Sequence, residues 1–410
     1  MVEATPQRSR SWSDIPMDIA GLVLRLLPAH ADRARFAAVC PQWRAAARLC
    51  PLPTPLPLLA LPDGTFYSLS YDEPFRFPGF GFADYKTTCG SWLVFPADDG
   101  CFLVDPFTGA TVTLPALSSV RLRPPNAVAK YDLQGNSRAA SPATWMHIHD
   151  SEKLHISKLI LCSPNLVAAI VGIGHSSQIL VCQPGALSWS GRAYDAIKEF
   201  EDMAFYQGKL YAIASDENLL VVNISQDQST GNPQVSRIGR VIKGEPFCTY
   251  FVHEYLTVDI VPNKKLYLVE SRGTLLMIRR KIWCLCKHAP LTEPEAPRHV
   301  VSGPNQFDVF KADFEQSQWV KVTTMGEEQV LFLWRRCSRA VSVSRYGMSG
   351  DQIFFLDDDE ENAKQYEYNE EITSFSVYDM RDGKIYSPLP KASWKRCDEM
   401  RLVAWLFPQD

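Results

Sequence analysis

The sequence predicts a mainly β protein, in which a C-terminal β-propeller-like domain of antiparallel meander sheets follows a small helical domain. Beyond about residue 62, short runs of β-branched and aromatic residues alternate with Gly, Asp and Asn turns at intervals of roughly 8 to 15 residues. The first 50 residues instead place apolar side chains three and four positions apart, which is the spacing of one helix face. This change of period marks the predicted boundary between the two domains.

Composition limits the classes of function. The chain has 410 residues and a formal net charge of −4. A weakly negative net charge argues against a general binder of nucleic acid or membranes. The most apolar run, Leu166 to Ile173, is far shorter than a membrane-spanning helix and predicts a buried strand. The eleven cysteines are scattered and odd in number, which favours a reducing compartment, either the cytoplasm or the nucleus.

The helical domain is predicted over residues 11–50, after a disordered stretch at 1–10 in which no secretory leader is visible. Its first helix follows Pro16, presents one apolar face and stops at Pro28. That face carries Ile19, Leu22, Val23, Leu26 and Leu27.

Two further helices complete the helical domain. Asp32 is placed to cap the second helix, and Pro41 suits the first turn of the third, where Trp43 is the largest apolar side chain. The second helix has its apolar face at Phe36, Val39 and Cys40. Three short helices cannot cover so many large apolar groups, so part of their surface is predicted to face another protein or the following domain.

Residues 51–61 are predicted to be an extended connector. Four of the first seven residues are proline, and a helix cannot run through them. The connector separates a basic segment of 50 residues, with a net charge of +3, from an acidic remainder of −7.

Residues 62–410 are predicted to form successive hairpins, each a strand, a tight turn and a second strand. The clearest turns are Thr108-Gly109, Gln207-Gly208, Arg272-Gly273 and Asp382-Gly383. A hairpin is marginally stable alone and needs neighbouring strands. So many hairpins favour radial packing into a propeller, whereas a large β-sandwich is the alternative architecture.

The helical domain closely resembles an F-box. The resemblance rests on Trp12 to Ile19 (WSDIPMDI), on Leu22 and Arg25-Leu26, and on Arg35 to Arg44 (RFAAVCPQWR), in that order. It covers residues 11–50, about a tenth of the chain.

The remaining nine tenths are similar to the C-terminal domain of a large plant family of F-box proteins of the KIB type. The similar segments include Gly90 to Val94 (GSWLV), Asp105 to Gly109 (DPFTG), Phe205 to Tyr211 (FYQGKLY) and Tyr267 to Ser271 (YLVES). In that family the second half is thought to form a kelch-like β-propeller.

The resemblance implies a substrate-receptor subunit of an SCF-type ubiquitin ligase, without catalytic residues or a cofactor. The helices would bind a Skp-type adaptor, and through it a cullin-RING ligase, while the propeller would capture a protein substrate that the sequence does not identify. The residues expected to contact the adaptor are Ile15, Pro16, Ile19, Leu22, Val23, Leu26, Leu27, Phe36, Val39, Cys40 and Trp43.

Other chemistry has weaker support in the sequence, and no metal site is predicted. Cys284 and Cys286 are closer together than zinc-finger ligands, and His147 and His149 are predicted to be strand residues. The acidic run at 357–361 lacks the glycine of a calcium loop and is predicted to be a solvated loop. A propeller lectin or hydrolase acting on a sugar or peptide is the alternative function, because a catalytic pair of carboxylates is a spatial arrangement.

Overall fold

The structure is a computed structural model, and it consists of three short helices followed by a ring of β-sheets. It describes residues 12, 15–27, 30–50, 52, 55–61, 63–69, 74–77, 84–123, 155–173, 176–192, 199–244, 258–287, 299–344, 346–356, 375–386 and 404–408. The predicted disorder at residues 1–10 lies outside these ranges. No described helix is long and apolar enough to cross a membrane.

The helices form a bundle. They are α1 (Met17–Arg25), α2 (His30–Val39) and α3 (Pro41–Leu49). Pro41 opens α3 as predicted, and the Cys40 thiol accepts a hydrogen bond from the Trp43 amide there. The predicted cap of α2 is wrong, because α2 begins two residues before Asp32 and this carboxylate lies in its first turn. An acidic side chain is still favourable there, since it faces the positive end of the helix dipole.

Twenty-six strands occur in the described part of the chain. The first twelve are β1 (Leu58–Ala60), β2 (Phe66–Ser68), β3 (Pro74–Phe75), β4 (Thr87–Cys89), β5 (Trp92–Ala97), β6 (Gly100–Val104), β7 (Thr111–Thr113), β8 (Arg121–Arg123), β9 (His155–Ser163), β10 (Leu166–Ile173), β11 (Ser176–Cys182) and β12 (Ser190–Arg192). The others are β13 (Phe200–Tyr206), β14 (Lys209–Ala214), β15 (Leu219–Gln226), β16 (Pro233–Ile242), β17 (Val258–Ser271), β18 (Thr274–Lys287), β19 (His299–Asp313), β20 (Gln318–Val322), β21 (Gln329–Leu333), β22 (Arg339–Ser342), β23 (Gln352–Leu356), β24 (Phe375–Asp379), β25 (Ile385–Tyr386) and β26 (Ala404–Leu406).

These strands form six sheets, the blades of a six-bladed β-propeller. Blade one has the order β26-β1-β2-β3, blade two β4-β5-β6-β7, blade three β9-β10-β11-β12-β8, blade four β13-β14-β15-β16, blade five β17-β18-β19-β20 and blade six β22-β21-β23-β24-β25. The predicted propeller of antiparallel meander sheets is confirmed, and the sandwich alternative is wrong. The four predicted turns all connect successive strands of a blade, and the glycine of each has a positive φ.

The ring closes where the two ends of the propeller share blade one. Strand β1 pairs with β26 on one side and with β2 on the other, so that Leu58 lies opposite Leu406 and Ala60 opposite Ala404. The predicted connector at 51–61 is therefore too long. The propeller begins at Leu58 instead of residue 62, because the three residues after Pro57 lack proline and complete a buried sheet.

The innermost strands of neighbouring blades are linked by polar contacts. Thr88 Oγ1 donates to the Trp405 carbonyl at 2.6 Å, across the junction of blades two and one. Lys158 and Asp202 form a buried ion pair with 2.6 Å between Nζ and Oδ1, which joins blades three and four. The other oxygen of Asp202 accepts a hydrogen bond from the Leu268 amide of blade five at 2.9 Å. Burial raises the pKa of Asp202, and the Lys158 ammonium opposes this effect.

Blade six departs from the meander order. Strand β21 pairs with β22 in antiparallel fashion and with β23 in parallel fashion, so a return segment at 343–351 must join the end of β22 to the start of β23. As a result β22, and not β21, is the edge strand of blade six, and it contacts β17, the innermost strand of blade five.

Strand β1 begins, and β22 ends, at the face of the propeller that carries the helical bundle, which we call the bundle face.

Replacing the closing tryptophan is expected to destabilise the ring. Trp405 is fully buried, packs edge-on against Phe332 and Phe375, and donates from Nε1 to the Leu333 carbonyl at 3.3 Å. Trp405→Ala should lower the free energy of unfolding by about 3 to 5 kcal/mol, measured by urea denaturation. Leu187→Ala, at an exposed position of blade three, is the control and should change it by less than about 0.5 kcal/mol. Equal effects of the two variants would contradict this packing.

A second prediction concerns the pH dependence of stability. Burial, together with the nearby Glu199 carboxylate, raises the pKa of Glu201 to about 7, although Arg335 and Lys264 oppose the shift. A carboxyl whose pKa is raised on folding binds its proton more tightly in the folded state, so stability falls as pH rises from its ordinary pKa to 7. Glu201→Gln should therefore match the wild type at pH 4 and exceed it by about 3 kcal/mol at pH 8, in urea denaturation at each pH. A constant difference across this range would contradict the prediction.

Candidate functional site

Exposed apolar side chains are concentrated on the helical bundle. Among the described residues, eleven large apolar side chains are exposed, and eight of them belong to the first 50 residues. These eight are Trp12, Met17, Ile19, Leu22, Val23, Leu26, Val39 and Leu49. A surface with this many large apolar groups indicates a contact site for another molecule.

Helix α1 has two apolar faces, and only one of them packs inside the bundle. Ala20 and Leu24, one turn apart, are buried. Ile19, Leu22, Val23 and Leu26 lie at the same three- and four-residue spacing but point outwards. Leu22 is 55% exposed and Leu26 is 80% exposed. We call these four residues the α1 outer face.

The core of the bundle explains which face turns inwards. Phe36 of α2 stacks on Trp43 of α3 with 4.4 Å between ring centroids, and Leu24 and Ala46 belong to the same buried cluster. Trp43 also donates from Nε1 to the Trp12 carbonyl at 3.2 Å. Since these two rings fill much of the space between the helices, α1 turns the side that carries Ala20 and Leu24 towards them. Leu22 and Leu26, on the other side, remain outside.

The residues predicted to contact an adaptor fall into three groups. Phe36 is buried in the bundle, whereas Ile15, Leu27, Cys40 and Trp43 are half-buried at its edge. The exposed members are Pro16, Ile19, Leu22, Val23, Leu26 and Val39. The structure thus brings most of the predicted set to one small domain, but it places Phe36 and Trp43 in the internal core as well.

Sequence reasoning missed some residues of the site and of its core. Met17 is 46% exposed beside the α1 outer face, and Leu49 is exposed at the end of α3. Leu24 was not assigned to an apolar face, although it anchors the core. Leu24 follows Ala20 by four residues, which is the spacing of a helix face, but Ile19, Leu22, Val23 and Leu26 form a larger apolar pattern on the other side of α1.

The rim of the bundle is basic. Arg25, Arg35, Arg44 and Arg48 are exposed, and Arg35 forms an ion pair of 3.2 Å with Asp32. Asp18 is the exposed acidic residue of α1. An apolar centre with a charged rim is the usual organisation of a protein–protein interface.

The propeller channel shows no comparable site in its described part. Asp202 is held by Lys158, and the described residues contain no group of three or more His, Cys, Asp or Glu side chains that could hold a metal ion. Burial raises the pKa of the Cys89 and Cys337 thiols, which disfavours the reactive thiolate. His147, His149 and the acidic run at 357–361 lie outside the described residues, and the side chains of Cys284 and Cys286 are not described.

Two known proteins resemble this chain at low sequence identity. A protein named F-box protein At2g26160, from Arabidopsis thaliana, is 23% identical over 370 residues, which are 84% of this chain and 95% of that protein. A Putative F-box protein At3g25750, from the same organism, is 21% identical over 217 residues, which are 52% of this chain and 48% of that protein.

A likeness to solved structures is weak. The alignment with the crystal structure of an ACO/RPE65 chimera covers 74% of this chain and 58% of the chimera, at 12% sequence identity and a TM-score of 0.27. This score is too low to indicate a shared fold.

The propeller itself matches a family. The family model described as KIB1-4 beta-propeller covers residues 58–398, which begin at the first residue of β1 and include strands of all six blades. The chain therefore belongs to the KIB1-4 β-propeller family.

Proposed function

We propose that this chain is the substrate-receptor subunit of an SCF-type ubiquitin ligase. In this proposal, the helical bundle binds a Skp-type adaptor, which connects it to a cullin-RING ligase in the cytoplasm or the nucleus. The propeller captures a target protein. The chain itself performs no covalent chemistry.

The observation that carries the proposal is the α1 outer face. Four aliphatic side chains are exposed on a bundle whose own core is already filled by Phe36, Trp43 and Leu24. Burying one leucine against a partner contributes about 1.5 to 3 kcal/mol, so Leu22 and Leu26 together could supply a large share of a specific affinity.

The comparisons support the same proposal at a coarser level. Two relatives carry F-box in their names, and the match with the first of them covers 95% of that relative and 84% of this chain. Residues 12–50, which resemble an F-box in sequence, form three helices as that resemblance implies. Adaptor binding and ubiquitin transfer are inferred for this chain from these features together.

Proximity would be the mechanism. A target held on the propeller while the adaptor occupies the bundle is confined near the ubiquitin carrier, so its lysines experience a raised effective concentration. Such a receptor needs two binding surfaces and a stable connection between them.

The alternative of a lectin or hydrolase has less support. A hydrolytic site needs two carboxylates with separate roles. Asp202 is engaged by Lys158 and by two backbone amides, those of Met203 and Leu268, which suits it to holding blades together. Glu199 lies close enough to Glu201 to raise its pKa, but the two relatives named above are called F-box proteins.

The proposal predicts that charges on the α1 outer face abolish adaptor binding. Leu22→Glu combined with Leu26→Asp should weaken binding to a purified Skp-type adaptor by at least about 100-fold in isothermal titration, because two apolar contacts are lost and two charges must be desolvated. The propeller should unfold at the same temperature as in the wild type, since both side chains are exposed.

A matched control separates this effect from surface charge in general. Leu187→Asp changes a leucine of blade three that is even more exposed, at 89%, and this variant should bind the adaptor normally. Trp43→Ala is a less selective variant, because Trp43 also stacks on Phe36 inside the bundle. Wild-type affinity of the double variant, or a well-folded wild type that does not bind any Skp-type adaptor, would refute the proposed function.

A further inference from the structure

Arg33 lies at the junction of the helical bundle and the propeller. This arginine of α2 is 8% exposed. Its Nε donates to the Leu27 carbonyl at 3.0 Å, within the bundle, and its Nη2 donates to the Tyr346 hydroxyl of blade six at 3.3 Å. One guanidinium group thus contacts both domains.

The acceptor on the propeller is held in a fixed position. Tyr346 belongs to the return segment at 343–351, which exists because blade six departs from the meander order. Backbone hydrogen bonds join this segment to the two residues that precede β21, from the Val343 amide to the Glu328 carbonyl and from the Gly350 amide to the Glu327 carbonyl. Tyr346 also packs against the apolar core shared by blades one and six.

Glycine is required at one end of this segment. A Cβ atom at Gly350 would lie 2.3 Å from the backbone carbon of Glu327, a distance that no side chain can adopt without moving the backbone. The segment that carries Tyr346 is therefore closely packed at this end against the residues that precede β21.

The connector restrains the bundle at a second point. Leu52 packs against the core of the bundle, whereas Leu56 is buried in the core of blades one and six. Four residues of fully extended chain span at most about 14 Å, and prolines at 53 and 55 limit the conformations between Leu52 and Leu56. The bundle is thus anchored near the bundle face by its connector and by Arg33.

We propose that Arg33 is a positioning residue that fixes the orientation of the bundle on blade six, so that the two domains move as one body. Arginine suits this role because its planar guanidinium donates in several directions at once, whereas lysine has a single nitrogen. The consequence for ubiquitin transfer rests on the proposed function: an adaptor on the α1 outer face would stay at a constant distance from a target on the propeller.

The test is the distribution of distances between two spin labels, one in each domain, measured by pulsed electron–electron double resonance on the full chain. Spin-labelled noncanonical amino acids at Ala38 of α2 and Leu187 of blade three, both exposed, leave the native cysteines unchanged. The wild type should give a single narrow distribution. Arg33→Ala should broaden it at least about twofold, because the short connector is then the main restraint on the orientation among the described residues.

Three further variants test whether the contact between Arg33 and Tyr346 sets the width of the distance distribution. Tyr346→Phe removes the acceptor from the propeller side and should also broaden the distribution, whereas Arg33→Lys should broaden it less than Arg33→Ala. Arg35→Ala, an exposed arginine on the same helix, should leave the width unchanged. Hydrogen exchange in α1 and α3 should be as slow in the Arg33 variants as in the wild type, which shows that the bundle is folded.

Two results would overturn the proposal. One is an equal width in the wild type and Arg33→Ala. The other is broadening in Arg33→Ala without broadening in Tyr346→Phe, which would mean that Arg33 does not act through its contact with blade six. Because no adaptor is present in this measurement, its failure is distinct from a failure of adaptor binding.

Discussion

The pairing of β1 with β26 is the constraint on which the rest of the structure depends. Each blade is a small sheet that is marginally stable by itself, and a ring of such sheets is stable only when the last blade packs against the first. Here the closing blade takes strands from both ends of the propeller, and Trp405 fills the space between blades one and six. Closure also decides where the bundle lies, since the chain enters β1 at the bundle face only a few residues after α3.

Two features of the structure concern the bundle. In blade six, β22 occupies the inner edge, and the return segment after it brings Tyr346 to the face where the chain enters from the helices. In the bundle, the stacked rings of Phe36 and Trp43 occupy the core, and Leu22 and Leu26 of the α1 outer face remain outside. The first feature provides an attachment for the bundle and the second provides a surface for a partner, so the helical domain is held on one side and open on the other.

The parts of this fold that the sequence predicts are local ones. The turn at Gln207-Gly208 needs a residue with positive φ, and a glycine in the sequence indicates such a position. The spacing of Leu22 and Leu26 likewise indicates one face of a helix. The number of blades, the order of blade six and the pairing of Leu58 with Leu406 depend on contacts between residues far apart in the chain, which no local pattern encodes. The same limit applies to α1, because periodicity shows two apolar faces but only the positions of Phe36 and Trp43 decide which one is buried.

The central claim is that the α1 outer face is open in the isolated chain and becomes covered by a protein partner. Hydroxyl-radical footprinting read by mass spectrometry measures this most directly, because it reports the exposure of individual side chains. We expect Leu22 and Leu26 to be oxidised in the isolated chain and protected when a Skp-type adaptor is added, with Leu187 oxidised equally in both samples. Protection already present in the isolated chain, or oxidation unchanged by a saturating adaptor, would contradict the claim.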